Sequence, residues 1–334
     1  MVEQAKDGGL VGGPQLSDDC PAAPRTGYFL PPSPTPDLSG DGREHSSTGG
    51  NHGSSMMPRV IVSADDFGLS LGVNEAVERA HRTGLLSTAS LMVAGPAAED
   101  AVRRARTMPG LRVGLHIVVI EGPAADPGAA PGLVDAAGQF PSDQLRLGVS
   151  YFARPAVRRQ LRHEIQAQYC AFAATGLRLD HANAHKHMHL HPTVGRMMIE
   201  EGRPYRLPAL RIPAEPPAVM AALGVAQGPG AHALFTWTRL LRWQARRAGL
   251  HTNDHAFGIA WSGHMTASRI IALAPLLPPG LSELYFHPAA HRDDLLTRLM
   301  PDYEHEAELQ ALCDPAVRAA LAGAGAALAA YGAA

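Results

Sequence analysis

Residues 183–192 contain four histidines at alternate positions, His185, His187, His189 and His191. In an extended strand, side chains at alternate positions point to one face, so this spacing predicts a row of imidazoles on one face. Imidazole nitrogens are costly to bury without partners, and they commonly bind metal ions or transfer protons. The alternative interpretation is a histidine-rich surface strand or a tract that binds metal without catalysis.

Two adjacent carboxylates, Asp65 and Asp66, follow the apolar run 60–64. This run predicts a buried strand, and Gly68 predicts a turn shortly after it. Neighbouring residues on a regular strand face opposite sides, so both carboxylates reach one site only if the strand ends near Ala64. Active sites of β/α folds form just past the carboxyl ends of strands. Taken alone, an Asp-Asp pair also fits a solvated loop or a helix cap.

Two further histidines lie in apolar, strand-like segments. His116 lies inside segment 111–120, and His287 follows segment 284–286 directly. A single histidine in a core is more often a structural residue than a metal ligand. Because Asp66 and the histidine row occur in the same chain, we expect these strand-end residues to meet at one rim of a sheet.

Strand-like and helix-like segments alternate from Arg59 onward. This rhythm predicts an α/β fold with a mostly parallel sheet, a (β/α)-barrel-like single domain that is irregular or incompletely closed. The predicted strands are 59–64, 87–93, 111–120, 178–189, 210–212, 256–260 and 281–286. The predicted helices are 73–82, 97–107, 155–176 and one that begins at Pro192, and residues 121–150 are predicted as a loop.

The two ends of the chain differ in composition from the predicted domain, 56–325. Residues 1–55 are rich in Gly, Pro, Ser, Asp and Thr and poor in apolar residues, which predicts a disordered tail. Residues 326–334 are rich in alanine and are predicted to form a C-terminal tail.

Charge and composition argue against several classes of protein. The net charge of −2 gives no electrostatic argument for nucleic-acid binding. We expect no signal peptide and no transmembrane helix, because no apolar run is long enough for either role. The three cysteines are widely spaced, which argues against a cysteine zinc site and fits a reducing cytosol. We therefore expect a cytoplasmic protein.

A predicted helix at 231–249 carries both an apolar stripe and several arginines. The stripe is formed by Leu234, Trp237, Leu241, Ala245 and Ala248. An ordinary amphipathic surface helix is the favoured interpretation. The sharper interpretation is an interfacial helix that contacts a lipid substrate or the inner surface of a membrane.

Four motifs of the chain resemble those of the YdjC-like carbohydrate deacetylases. The motifs are Ser63–Ser70, Gly114–His116, His181–His189 and Phe286–Pro288, and the resemblance runs from about Arg59 to about Leu321. Within that family, the chain is most similar to the branch associated with hopanoid lipid biosynthesis. The residues that carry this second resemblance are 183–192, 211–216 and 252–263.

The resemblance implies a hydrolase that removes the acetyl group from an N-acetylated amino sugar, in that branch an N-acetylglucosaminyl hopanoid. It implies one divalent metal ion, with zinc or magnesium preferred over other metals, held by Asp66, His116 and His185. By the same resemblance, Asp65 is the general base and His287 is the candidate general acid.

Four other residues are expected to contact the substrate or to support the metal ligands. They are Asn183, His187, His189 and Arg211. Asn183 stands where the family usually has an Asp, and an amide cannot act as a base. We therefore expect Asn183 to be a neutral partner of a ligand.

Several alternatives stay open. The substrate could be a chitooligosaccharide or another soluble sugar, and a metal phosphodiesterase is a rival reaction on the same kind of fold. A metal-storage protein would explain the histidine row, but it would not explain Asp65, His116 and His287 at separate strand ends. A homo-oligomer is compatible with this sequence.

Overall fold

The computed structural model describes residues 57–331, so the predicted tail 1–55 lies outside the described part of the chain. All strand pairs of its sheet are parallel, and the strand order is β4-β3-β2-β1-β6-β5, with β7 paired to β1. The strands are β1 Arg59–Phe67, β2 Thr88–Leu91, β3 Arg112–Ile117, β4 Leu179–Ala184, β5 His255–Phe257, β6 Leu281–Phe286 and β7 Ala327–Ala329.

Helices cover the sheet and connect its strands. They are α1 Leu71–Thr83, α2 Ala98–Arg106, α3 Gln144–Ala153, α4 Pro155–Ala174, α5 Pro192–Gly202, α6 Pro217–Ala222, α7 Pro229–Arg247, α8 Ala267–Leu273, α9 Asp294–Leu299, α10 His305–Cys313 and α11 Pro315–Gly323. The predicted inner face of α1, Val73, Ala76, Val77 and Ala80, is fully buried. None of the helices between residues 57 and 331 is both long and apolar enough to cross a membrane.

An irregular segment, 208–214, connects the two outer strands of the path, β4 and β5. The N–H of Arg211 donates to the carbonyl of Ala182 in β4, at 3.0 Å. On the other side, the N–H of Ala256 in β5 donates to the carbonyl of Ala214, at 3.1 Å. The sheet therefore curls into an irregular barrel, and the predicted barrel-like α/β fold is confirmed.

The prediction of a regular strand at 210–212 is wrong. The neighbourhood of this segment forms only isolated bridges, between Ala182 and Leu210 and between Ala209 and His251. Pro208 and Pro213 flank the segment, and proline has no N–H to donate to a ladder of hydrogen bonds.

The predicted loop 121–150 contains most of an additional helix, α3. Asp143 caps its first turn, because its carboxylate accepts the N–H of Arg146 at 2.9 Å. Leu147 and Tyr151 are the buried residues of this helix. One buried residue per turn gives too weak a periodicity for recognition from sequence.

Part of the predicted C-terminal tail 326–334 belongs to the sheet. Ala327–Ala329 pair with the first half of β1, whereas β2 pairs with the second half of β1. Tyr331 is fully buried. The alanine-rich composition gave no indication of this strand, since alanine has a low preference for strands.

Candidate metal centre

A β-bulge brings Asp65 and Asp66 to one site. β1 continues to Phe67, beyond the predicted end near Ala64. From Ala64 to Phe67 the strand advances three positions, whereas its partner strand β2 advances only two. Asp66 has a φ of 61°, a left-handed conformation that aspartate tolerates better than most residues. The extra residue re-aims the chain, so the bulge supplies the turn expected from a strand end.

Three buried side chains from separate elements converge beside this bulge. They are Asp66 of β1, His116 of β3, and His185, which follows β4 directly. Oδ1 of Asp66 lies 3.3 Å from Nε2 of His116 and 3.2 Å from Nδ1 of His185. One ligand atom from each residue lies within 4.8 Å of the other two, so the group can hold a metal ion.

The hydrogen bonding around Asp66 fits a cation. Neither carboxylate oxygen of Asp66 has a hydrogen-bond partner among the described residues, although both are buried. Burial raises the pKa of Asp66, but the His185 and His116 imidazoles outweigh it and hold that pKa well below its usual range. A buried, ionised carboxylate without donors is costly, and a divalent ion would remove the cost.

The tautomer of His116 also fits a metal ligand. Its Nδ1 lies 2.7 Å from Oδ1 of Asn183, and an amide oxygen only accepts, so Nδ1 carries the proton. In the neutral ring, Nε2 therefore directs a lone pair toward Asp66. Burial lowers the pKa of His116, but the nearby charges of Asp65 and Asp66 outweigh it and raise that pKa. A proton and a metal ion consequently compete for Nε2.

The histidine row is not the strand predicted over 178–189. β4 ends at Ala184, and a short 3-10 helix, His185–Leu190, follows. Lys186 and His187 inside it adopt left-handed conformations, with φ values of 51° and 53°. The four histidines therefore point in different directions, and the predicted common face is wrong.

Each histidine of the row has different surroundings. Nε2 of His187 hydrogen-bonds the hydroxyl of Tyr285 at 3.0 Å, and burial lowers the pKa of His187 to about 3. His189 is fully buried, and its Nε2–H donates to the carbonyl of Arg211 at 3.1 Å. The fourth histidine, His191, packs edge-on against the ring of Tyr151. Only His185 reaches the group around Asp66.

Asp65 belongs to a buried ionic network behind the metal group. Nη1 of Arg211 lies 2.5 Å from Oδ2 of Asp65, and its Nε and Nη2 donate to Glu283 at 3.0 and 2.7 Å. Tyr331 donates a further hydrogen bond to Glu283. Burial raises the pKa of Asp65, but the Arg211 guanidinium outweighs it and keeps that pKa well below its usual range. Arg211 is fully buried, so it supports Asp65 from behind.

Sequence reasoning missed Glu283 and Tyr331. Glu283 is a charged residue inside an otherwise apolar strand, 281–286, and this pattern was the available signal. Tyr331 gave no signal, because it lies in the segment that was predicted as a tail.

Asn183 connects the metal group with Asp65. Its oxygen accepts from His116, and its Nδ2 donates to Ser90 at 2.9 Å and to Oδ1 of Asp65 at 3.2 Å. A carboxylate at this position would repel Asp65, whereas an amide donates to it. Asn183 therefore joins the candidate ligand His116 to Asp65 through hydrogen bonds.

His287 lies at the end of β6, held by two side chains of α10. Its N–H donates to Glu308, and its carbonyl accepts from Nδ1 of His305 at 2.6 Å. Its own Nδ1 has no partner among residues 57–331. Burial lowers the pKa of His287, although Asp66 and Asp65 oppose the effect. Burial also raises the pKa of Glu308, to about 8.

Two bacterial carbohydrate deacetylases are similar to this chain in sequence. The protein from Brevibacillus brevis is 38% identical over 150 residues, which are 45% of this chain and 58% of that relative. The chain thus spans less than two thirds of the length of this relative. The protein from Thermoanaerobacter pseudethanolicus is 27% identical over 259 residues, which are 77% of this chain and 92% of that relative.

A solved structure shares the fold. It is that of a proposed cellobiose-phosphate cleavage protein from Enterococcus faecalis V583, with a TM-score of 0.65 and 23% sequence identity. The superposition covers 83% of this chain and 98% of that protein.

The family model described as "YdjC-like protein" matches residues 59–323. This range contains β1 to β6 and every residue that the sequence predicted for the site. The chain therefore belongs to the YdjC-like protein family.

Proposed function

We propose that this protein is a metal-dependent hydrolase that removes the N-acetyl group from an N-acetylated amino sugar. The observation that carries the proposal is the buried group of Asp66, His116 and His185 beside the ionised Asp65. The relatives named carbohydrate deacetylases support the choice of substrate class.

Amide hydrolysis needs a nucleophile, stabilisation of an oxyanion, and a proton for the leaving amine. A divalent ion at this group would lower the pKa of water and polarise the amide carbonyl. Two imidazole nitrogens and one carboxylate leave positions for water and substrate, as catalytic sites require. We propose zinc or magnesium, since nitrogen and oxygen donors suit zinc and the carboxylate also suits magnesium.

Asp65 is proposed as the base that takes the proton from the attacking water. The Arg211 guanidinium keeps its carboxylate ionised, and the amide of Asn183 holds its second oxygen. The same contacts fix its direction. They also reduce its basicity, so Asp65 works best on a water whose own pKa is already lowered.

His287 is proposed to give a proton to the leaving nitrogen. Its Nδ1 has no partner among the described residues, so it is available to a substrate. Its lowered pKa makes the imidazole neutral in the resting protein near neutral pH. His287 must therefore receive a proton before it donates one, which suits a residue beside the proposed base.

We further propose that the sugar is carried on a hopanoid-type lipid and that α7 contacts the membrane that contains it. The motif resemblance supports this choice, and so does the surface of α7. Its only buried residues are Thr238, Leu241 and Ala245, whereas Leu234 and Trp237 of its apolar stripe are 37% and 46% exposed. An exposed tryptophan beside arginines is typical of helices at lipid surfaces. A cytoplasmic protein peripheral to the inner membrane surface fits this arrangement.

Acetate release from a panel of N-acetylated sugars and glycolipids tests the proposal directly. We expect release that depends on about one tight equivalent of metal. Release from none of them would refute the reaction, and uptake of several equivalents without hydrolysis would favour a storage protein. A preference for chitooligosaccharides over glycolipids would refute the lipid but leave the deacetylase.

A further inference from the structure

A groove of about 470 Å3 lies between α3 and α7. Its walls include Gln144 and Gly148 of α3, Leu234 and Trp237 of α7, and the 3-10 helix His185–Leu190 between them. This volume is in the range of small-molecule sites.

One end of the groove lies next to the candidate ligand His185 along the chain. Lys186 and His187, which follow the candidate ligand His185 directly, line it. His187 hydrogen-bonds Tyr285, and the ring of Tyr285 lies 4.9 Å from the guanidinium carbon of Arg211, which pairs with Asp65. The groove therefore begins within two residues of a candidate ligand, a span of at most about 7 Å. This is close enough for a substrate whose acetamide reaches the centre to extend toward the groove.

The groove lacks features that would select a charged ligand. None of the described residues that line it is acidic, and the charge of Lys186 is paired with Glu121. Its remaining polar side chains are few, so a chain of sugar hydroxyls would find few partners.

Apolar side chains lie beside the lining residues of α3, and the indole on the opposite wall is held in place. Leu145, Val149 and Phe152 are exposed on one face of α3, at the i, i+4 and i+7 spacing. Across the groove, the Nε1–H of Trp237 donates to the carbonyl of Leu190 at 2.8 Å, which holds the indole in place. Exposed apolar side chains that are grouped around a groove indicate a binding surface, whereas single ones do not.

We propose that this groove binds the apolar group to which the acetamido sugar is attached. The inference rests on the proposed deacetylation, and it adds where the hydrophobic part of the substrate lies. Trp237 supplies a flat wall, and Leu234, Met188 and Leu190 supply further apolar lining, so the groove determines specificity for substrates with a long apolar aglycone.

The test compares two tryptophans of the same helix. Trp237 lines the groove, whereas Trp243 is similarly exposed, does not line it, and stacks on Arg247. Acetate release is measured from octyl N-acetylglucosaminide, below its micelle-forming concentration, and from methyl N-acetylglucosaminide. We expect the octyl-to-methyl ratio of kcat/KM to fall about tenfold in Trp237→Ala, which corresponds to about 1.4 kcal/mol. The ratio should keep its wild-type value in Trp243→Ala.

A second variant fills the groove without removing a contact. A Cβ on Gly148 would lie 3.6 Å from the ring of His191, an ordinary contact, and glycine is a poor helix former. Gly148→Leu should therefore fold, and it should lower the octyl-to-methyl ratio more than Gly148→Ala does. Equal ratios in wild type, Trp237→Ala and Gly148→Leu would overturn the inference.

A binding measurement separates this inference from the proposed reaction. Octyl glucosaminide is the expected product, so its binding to the wild-type protein can be measured by calorimetry without turnover. Binding that is weakened about tenfold by Trp237→Ala, with a negative heat-capacity change in wild type, supports the groove even if acetate release fails. Binding that is unaffected by Trp237→Ala refutes the groove, even if acetate is released from both substrates.

Discussion

At the scale of single residues, Asp66 combines burial, negative charge and missing hydrogen-bond donors. Folded proteins seldom keep such a group without a counter-charge, because desolvation of an ion costs several kcal/mol. A metal ion bound by Asp66, His116 and His185 would provide that counter-charge, which connects the electrostatics of the fold with the proposed chemistry.

The first prediction concerns the three proposed ligands. Replacing Asp66, His116 or His185 by Ala should abolish tight metal binding and acetate release together, since each residue supplies one of three donor atoms. Metal content measured by emission spectroscopy on purified protein is the check. His163→Ala is the matched control, because this exposed histidine pairs with Asp126 away from the site. Full metal occupancy in His185→Ala would remove His185 from the ligand set.

The second prediction separates the proposed base from the ligands. Asp65→Asn should keep the metal and lower kcat by roughly two to four orders of magnitude, the usual contribution of a general base. Arg211 retains Glu283 as an ionic partner, so the fold should survive. Metal content, kcat and circular dichroism are measured on the same sample. Simultaneous loss of metal and activity would instead place Asp65 among the ligands.

At the scale of elements, the sequence predicted the alternation of strands and helices, because buried parallel strands are continuous apolar runs. It also predicted that Asp66, His116 and His185 would meet. It did not predict the path of residues 185–190. Alternate histidines match the period of a strand, whereas the left-handed Lys186 and His187 depend on contacts with distant residues such as Tyr285 and Glu121. Positive φ values at such residues cost energy that the surrounding structure must offset, and no local pattern reports this.

The third prediction concerns α10, whose Glu308 holds the N–H of His287. Burial raises the pKa of Glu308 from 4.5 to about 8, so the folded state binds this proton more tightly than the unfolded state. The resulting stabilisation is complete below about pH 4.5 and is lost as the pH rises toward 8. Relative to Glu308→Gln, the wild type should therefore lose roughly 1.4 kcal/mol of unfolding free energy per pH unit in this window.

Urea denaturation of both proteins at several pH values between 4.5 and 8 measures this difference. The glutamine offers one acceptor oxygen where the carboxylate offers two, which adds an offset that does not vary with pH. Parallel stability curves for the two proteins would show that Glu308 ionises normally in the folded state.

At the scale of the whole molecule, one buried network connects the end of the described chain to the proposed base. Tyr331 donates to Glu283, Glu283 accepts from Arg211, and Arg211 pairs with Asp65. The partners lie on β1, on β6, on the segment that closes the barrel, and after β7. Sequence patterns indicate which residues of one helix or strand share a face. They do not indicate contacts between distant segments, so this network could not be predicted from them.

The last prediction tests whether this network requires the C-terminal residues. Tyr331 is fully buried and stacks on His181, with ring centroids 4.8 Å apart. Tyr331→Ala should lower the unfolding free energy by roughly 3–5 kcal/mol, as for other large aromatic truncations in cores. Tyr331→Phe should cost only about 1–3 kcal/mol, because it keeps the stack and removes the hydrogen bond to Glu283.

Leu328→Ala, in the neighbouring strand β7, is the matched control. Leu328 is 47% exposed, and its replacement should change stability by less than about 0.5 kcal/mol. Denaturant unfolding of the three variants gives the energies, and acetate release shows whether Asp65 stays in place. If Tyr331→Ala is no less stable than Leu328→Ala, the C-terminal residues are dispensable to the barrel. If instead Tyr331→Phe stays folded but loses activity, the hydroxyl acts through Glu283 and Arg211 on Asp65, and the network is part of the catalytic apparatus as well as of the fold.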